Sequence, residues 1–491
     1  MKKVSTFLTL SILLIFSFST TIISQTFDGE WSTALVTDDD NSNGTNQRTM
    51  SVAATTGDNN FVALVSRPST GEYYLVGYKN ATDSTGRLGA SYSSGSDPAQ
   101  TLWINGFDQV YMEKAFDIAA YGDLIFVANN DVGHNILVFE LKDDSVYSYP
   151  MRLSTATDPF NIDSLWAIDV DRGGRVYVTT QGNETTPSKV LVYDSNDPEW
   201  TSGYSADPKQ VITLPDNGLA HGVTANADGS VIYVSNMNTG KIYAYVGNIT
   251  DGYTLSPSFN YENIDAYAVD TLGTIENIGP LGLNFMDDNN ILFAAADSYI
   301  FSPNRTYGFG RIYIINPNTG EMMDTIDVAD WNFVASDSTD YTTHVNNVAS
   351  GYTSTYYVDF DENKNLYSQS YFSWTIEKWV YSGTLPMIEL TLTDVEKIDS
   401  NIPNSFEVSQ NYPNPFNPST TIEFSINKTA PITLSVYNIN GELITKLVNG
   451  AEFAPGVYKI TFDASRLASG TYIYSISNGS NIITKKMTLL K

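Results

Sequence analysis

The chain contains no cysteine in 491 residues. Disulfides, thiolate catalysis and cysteine-ligated zinc are therefore excluded. Histidine is scarce as well: His134, His221 and His344 are the whole supply. A zinc centre would need all three to converge, and only His221 stands directly before an expected inner strand. Positive charge is the third shortage, with 26 Lys and Arg against 55 Asp and Glu and a net charge of -29. The deficit is local. Residues 401–491 carry seven basic and five acidic residues, whereas residues 26–400 carry 17 basic and 50 acidic ones. Such a body repels nucleic acid and anionic lipid, and suits solubility and the binding of cations. Several catalytic signatures are also missing: no G-x-S-x-G elbow, no phosphate-binding P-loop, no H-E-x-x-H and no S-x-D-x-G-x-T-W box occurs. Their absence weighs mildly against catalysis.

The one long apolar run is at the start. Lys2 and Lys3 precede a stretch from Phe7 to Phe18 that is broken by Thr and Ser and is short for a bilayer span. This pattern predicts a signal peptide over residues 1–25, cut near Ser24 and Gln25. No cysteine follows it, so a lipoprotein anchor is excluded, and no transmembrane segment is expected later.

Tyr (32) and Phe (23) are abundant among many Val, Ile and Thr, which is the composition of strands. The body repeats itself. VAATTGDNNFVALV (52–65), FDIAAYGDLIFVAN (116–129), WAIDVDRGGRVYVTT (166–180), GVTANADGSVIYVSN (222–236), LGLNFMDDNNILFAAA (281–296) and YVDFDENKNLYSQS (357–370) share one plan. Each is a strand, a turn of Gly, Asp and Asn, and a second strand of β-branched and aromatic residues. A third strand follows each, as in KVLVYDS (189–195) and KIYAYVG (241–247), and a weaker fourth follows some, as in KQVITLP (209–215). Units of three or four strands that cannot bury both faces alone fit the blades of a β-propeller. The expected fold is all-β: a propeller over residues 26–390, with six blades favoured and seven if residues 27–50 or 322–355 hide an atypical unit. A two-sheet sandwich and a β-helix are the alternatives. The segment HGVTANADGSVIYVSNMNTGKIYAY (221–245) resembles NHL, lactonase and gluconolactonase-type propellers. The resemblance implies a fold; it does not fix an activity.

A linker is expected over 391–404 and a small Ig-like β-sandwich over 405–491. The pieces NYPNPFNPSTTI, VYNINGELI, FDASRLASGTYIYSI and the terminal KKMTLLK closely resemble the C-terminal sorting domain of type IX secretion substrates, whose fold is similar to a flagellar-hook-capping accessory domain. That resemblance implies Sec export, outer-membrane translocation by the type IX machinery as partner, and a secreted or cell-surface product. It also implies a sorting signal around Lys485, Lys486, Met487, Leu489 and Lys491.

Sites in the body are harder to read. Candidate ligand-binding residues for a propeller channel are Asp117, Asp169, Asn284 and Asp359 on inner strands, with Trp166 and His221 expected at the mouth. The run D-x-N-x-N-G from Asp39 to Gly44 matches the first half of a calcium loop, with Asp39, Asn41 and Asn43 as ligands, but Met50 stands where a bidentate Glu belongs. Calcium is the cofactor this suggests. The alternating Asp169 and Asp171, and Asp359, Asp361, Asn363 and Asn365, fall at the repeated hairpin turn, where Asp and Asn are favoured for backbone reasons. The expected function is a non-catalytic surface or extracellular module for a glycan, peptide or protein ligand. The alternative is a metal-dependent hydrolase or lyase of the lactonase type.

Overall fold

A computed structural model describes residues 27–37, 48–57, 60–67, 71–78, 87–88, 101–104, 112, 114–122, 124–131, 134–142, 146–153, 164–194, 207–261, 279–297, 310–328, 355–370, 375–392, 395–399, 403–465 and 467–491. The signal segment, the Asp39–Asn43 loop and His344 lie outside them.

The repeats form antiparallel sheets whose strands run in chain order from the centre outward. The innermost strands are Arg48–Ala54, Asp117–Tyr121, Leu165–Val170, Gly222–Ala225, Gly279–Met286 and Thr355–Phe360. Each packs against the innermost strand of the next repeat, and the last packs against the first. The described residues thus form a closed ring of blades, numbered one to six here in chain order. The chain is all-β, a β-propeller followed by a β-sandwich.

Side-chain alternation explains how flat sheets become a ring. Successive residues of a strand point to opposite faces. In the second strand of blade two, Ile125 and Val127 join the core shared with blade one, while Phe126 and Ala128 join the core shared with blade three. Every pair of neighbouring blades has such an apolar core, and the second strands of blades one to five are rich in apolar residues because both faces are buried, whereas that of blade six, Leu366–Ser370, buries Ser368, Gln369 and Ser370.

The ring closes through the N-terminal strand Trp31–Thr37. It pairs antiparallel with Thr375–Tyr381 and becomes an outer strand of blade six. The flanks reinforce the closure: Gly29 N–H donates to the Tyr381 hydroxyl at 2.6 Å, and Thr384 N–H to Asp28 Oδ1 at 2.8 Å. Residues 27–37 therefore complete blade six and are not a unit of their own. The strand would otherwise leave the backbone of Thr375–Tyr381 as an open edge.

The segment expected as a linker is largely ordered. Residues 385–391 run along blade five, where Asn289 Nδ2 donates to the carbonyls of Leu385 and Pro386, Asn290 Nδ2 to that of Ile388, and Asn318 Nδ2 to that of Glu389. Ile388 is buried in the core between blades five and six. Val395–Asp399 is already a strand of the sandwich, paired with Gly456–Asp463. The sandwich thus starts inside the stretch 391–404, because Val395 and its neighbours complete a sheet edge.

The sandwich stacks two four-stranded sheets. Thr420, Ile422, Phe424 and Ile426 alternate inward along Ser419–Ile426, as period-two patterning demands. Met487 and Leu489 of the last strand, Ile482–Leu489, are buried in its core, while Lys486 and Lys491 are exposed and Lys485 is half-buried. The Pro-rich segment covers the free edge of that strand: Phe416 N–H donates to Thr488 O and Leu490 N–H to Phe416 O, both at 2.9 Å.

The closing strand yields a first prediction. Trp31 makes an edge contact with Phe293 and packs on Tyr381. Trp31→Ala should cost about 2 kcal/mol, less than a fully buried Trp because the ring is half-exposed. A thermal or urea melt of the exported protein would show it; an unchanged midpoint would mean that the closure carries no stability.

Candidate binding site in the propeller channel

The six innermost strands run in the same direction, so their C-terminal ends and the turns that follow gather at one end of the channel. There they enclose a mouth of about 370 Å³, lined by Tyr121, Asp169, Arg172, Asn284, Asp287 and Asp359 among others. Below it lies a smaller chamber of about 40 Å³ that shares Asp169, Asn284 and Asp359 and adds Asp117 and Tyr357. The first is large enough for a small organic molecule, the second for a few water-sized groups.

Hairpin register explains why these residues converge. Asp169 pairs with Tyr177, Thr224 with Tyr233, Asn284 with Phe293 and Asp359 with Tyr367. They are equivalent positions of blades three to six. Asp117 of blade two reaches the same channel from nearer the start of its strand.

The side chains at these positions bind blades together. Asp117 Oδ2 accepts the Ile168 N–H of blade three at 2.9 Å, and its Oδ1 accepts the Ser51 hydroxyl of blade one at 2.6 Å. Asp169 Oδ2 accepts the Ala225 N–H of blade four at 2.8 Å. Thr224 Oγ1 accepts the Phe285 N–H of blade five at 3.1 Å. Asp359 Oδ2 accepts the Ala54 N–H of blade one at 2.7 Å, and its Oδ1 accepts Asn284 Nδ2 at 2.7 Å. Each acceptor therefore reaches a neighbouring blade.

Burial dominates the protonation of these acids. It pushes Asp169 up to about 6 and Asp359 up to about 7, against the hydrogen bonds that favour their ionised forms. Asp117 is pushed well above the ordinary carboxylate range for the same reason. At the rim, burial carries Asp287 to about 6 although Arg172 opposes it.

Four of the expected site residues, Asp117, Asp169, Asn284 and Asp359, are brought together. Trp166 and His221 are not at the mouth. They sit at the opposite ends of the inner strands in a buried aromatic cluster: Trp166 stacks on Phe116 at 4.1 Å, and His221 lies 5.6 Å from Trp166 and 5.2 Å from Tyr357. Burial lowers His221 to about 3, so it is neutral. His221 Nδ1 is buried without a hydrogen-bond partner, and the buried Tyr357 hydroxyl meets the Trp166 side chain. The physical reason is position along the strand: Trp166 is the second residue of Leu165–Val170 and His221 precedes Gly222–Ala225, whereas the mouth is built from the C-terminal ends. Sequence reasoning missed Tyr357, behind a register shift between Thr355 and Tyr357, and Asp287, one residue past its strand.

The turn acids are structural. Asp171 accepts the N–H groups of Gly173 and Arg175 together with the Tyr177 hydroxyl, and Asp361 accepts those of Asn363 and Asn365 with the Tyr367 hydroxyl. Among the described residues no three acidic or histidine side chains come close enough to hold a metal ion. A divalent cation in the channel would therefore have to draw on Asn side chains, carbonyls or water beside the acids.

Comparison with known proteins separates address from activity. Residues 410–489 match the secretion system C-terminal sorting domain. The chain is thus exported and carried across the outer membrane to a secreted or cell-surface location, and the secretion machinery is its partner in transit. None of the described helices is long and apolar enough to cross a membrane. No curated protein matches the chain. Solved structures similar to it include a calcium-binding regucalcin of Agrobacterium tumefaciens, at 10% identity over 70% of this chain and 95% of that one, with a TM-score of 0.38. An enzyme of carbohydrate-active family AA12 from Trichoderma reesei, in its calcium structure, matches at 11% identity, 72% and 96% coverage and a TM-score of 0.39. The β-propeller domain of Cps50 from Myceliophteria thermophila matches at 9% identity, 67% and 83% coverage and a TM-score of 0.37.

The raised carboxyls set a second prediction. Each keeps its proton to higher pH when folded than when unfolded, where the value is near 3.8. Their contribution to stability is fully present below that value and is lost as pH rises through about 6 to 7. Asp216 and Asp288 are lowered and act oppositely, but only in more acidic solution. The melting temperature of the ligand-free protein should therefore fall between mildly acidic and mildly alkaline buffer, and Asp359→Asn should flatten that slope. A slope of the opposite sign would show that these carboxyls are ionised at neutral pH.

Proposed function

We propose that the exported protein is a non-catalytic binding module, delivered by type IX secretion, whose propeller takes a small polar ligand or the tip of a glycan or peptide at the channel mouth. The observation that carries this reading is the commitment of the channel carboxylates. Asp117, Asp169 and Asp359 spend their lone pairs on the backbone of adjacent blades. A general acid or base must be free to exchange its proton with substrate, and a carboxylate that holds two blades together moves only at the expense of the ring. The mouth above them is open, polar and rimmed by aromatic and charged side chains, which is the equipment of a binding pocket.

A second reading, a metal-dependent hydrolase or lyase of the lactonase type, draws on Asp169 and Asp359, whose raised values and place in a cleft are features of catalytic acids. Calcium would be its cation. The ligand set described above counts against it, because a divalent ion would have to draw Asp359 away from Ala54 N–H and Asn284.

Two measurements on the purified exported protein separate the readings. Glycan and peptide panels should yield a ligand whose affinity falls at least tenfold in Tyr121→Ala, an exposed mouth residue whose one contact with the next blade is a hydroxyl bond to Arg172 O at 3.3 Å. Added calcium or zinc should leave the melting temperature where it is in EDTA. Lactone turnover that depends on added metal and disappears in Asp359→Asn would overturn the proposal.

A further inference from the structure

We propose that the tail carries a binding site of its own, an open groove that takes an acidic saccharide, a sugar ring bearing a carboxylate. The groove lies at one end of the sandwich and has a volume of about 600 Å³, the size of a small-molecule cleft. Three pieces of chain build it: residues 404–406, residues 427–428 between Ser419–Ile426 and Ala430–Asn438, and residues 478–483, which lead from Gly470–Ser477 into Ile482–Leu489. All of them belong to the sandwich, so the site is independent of the channel.

The lining sets the sign of the ligand. Four asparagines, Asn404, Asn427, Asn478 and Asn481, line the groove with one lysine, Lys428, and no acidic side chain. Glu407, which accepts the Ser405 hydroxyl at 2.5 Å, is not part of the lining. Among the described residues the exposed Lys428 ammonium and the side-chain amides of Asn404 and Asn481 meet no partner, whereas Arg172, Lys241, Arg311 and Lys446 are each ion-paired. In a chain with 55 acidic and 26 basic residues, the tail, with five and seven, is the part that tolerates an anion.

Asn478 is the fixed point of the groove. It is 7% exposed, and its Oδ1 accepts the N–H groups of Ser480 at 3.1 Å and Asn481 at 2.8 Å. Those bonds orient the amide and leave Nδ2 as a donor without a protein partner in a residue that lines the groove. A ligand acceptor would complete it. The apolar part is held as firmly. Phe406 and Ile483 pack on the sandwich core, and Ile482 beside them is 72% exposed. A sugar acid matches both halves. Its C–H face covers the apolar side chains, its hydroxyls exchange hydrogen bonds with the amides, and its carboxylate meets the Lys428 ammonium. Phosphate or a small carboxylic acid would use the lysine and leave the apolar part bare, and a neutral sugar would leave the lysine unpaired.

The test is calorimetric titration of the full chain, tail included, with digalacturonic acid, and with cellobiose, citrate and inorganic phosphate as probes of its separate chemistries. Digalacturonic acid should bind with a millimolar or tighter dissociation constant, at least tenfold better than cellobiose, and more weakly as salt is raised. Lys428→Ala should weaken it at least tenfold and Ile482→Ser several-fold, with the melting temperature unchanged in both. Asn478→Asp keeps an oxygen for the two turn N–H groups and replaces the free donor with an acceptor, so it should abolish binding while the melting temperature holds. Lys241→Ala on blade four should bind as the parent does. Cellobiose binding as tightly as digalacturonic acid would overturn the acidic ligand. Citrate or phosphate binding as tightly, and lost in Lys428→Ala, would overturn the saccharide. No binding by any probe, or binding indifferent to Lys428→Ala and Asn478→Asp, would overturn the site itself. None of these outcomes touches the reading of the channel, which is tested by Tyr121→Ala.

Discussion

Everything in the body depends on holding six sheets in a ring, and two kinds of contact do it. The apolar cores between blades supply most of the burial, but hydrophobic packing is non-directional and does not by itself fix rotation or height. Direction comes from the channel, where a side-chain acceptor on one inner strand takes a backbone N–H of the next. Asp117 to Ile168, Asp169 to Ala225, Thr224 to Phe285 and Asp359 to Ala54 repeat this device. Such bonds are worth about 1–3 kcal/mol each when an acceptor is charged, and they register the blades as a ladder registers strands. Gly222 and Gly282 show how tight the same packing is. A Cβ at either would collide with a backbone carbonyl of the following blade, Leu281 and Tyr356 respectively.

The binding hypothesis inherits a tension from this arrangement. A carboxylate that stitches blades is rigid and well placed for a ligand, yet it pays for burial with a raised proton affinity. Only groups that bring their own positive charge, or that share the proton, gain much from it. That is the physical reason the mouth is more convincing as a recognition site than as a centre for proton transfer. The acids most visible in the sequence as alternating Asp and Asn, Asp171 and Asp361, reach the rim of the mouth but bridge no blades. They are consumed by their own turns.

Much of this was readable in advance. The Gly-Asp-Asn turns and paired strands announced the blades, and NYPNPFNPSTTI with the terminal KKMTLLK announced the tail, because local turn chemistry and period-two burial act within a few residues. Asp169, Asn284 and Asp359 were identifiable for the same reason, since they occupy repeated positions, and Asp117 stands on an inner strand of the same repeat two residues earlier. Trp166 and His221 were misplaced because they stand at the starts of their inner strands, and parity along a strand does not reveal which end of the ring opens into the mouth. Tyr357 escaped notice altogether, since a run such as TYYVDF gives no sign of which tyrosine faces the channel. The closing strand was hidden for a different reason. Its pairing with Thr375–Tyr381 joins residues some 350 positions apart, beyond any local pattern.

The boundary between body and tail follows from where apolar burial changes hands. Residues 385–391 belong to the propeller: Ile388 is in the core between blades five and six, and Leu390 packs on the core between blades four and five. From Val395 onward the chain pairs with the sandwich. Among the described residues the two domains share polar contacts and no core cluster. Asn449 N–H donates to Pro257 O at 2.9 Å, Asn449 Nδ2 to Thr319 O at 3.1 Å, and Lys446 meets Glu321 at 2.9 Å. Exposed contacts of this kind are individually weak. A tail attached through them can be recognised, or removed between the two cores, without opening either, and the ring that forms the binding mouth remains closed by its own N-terminal strand.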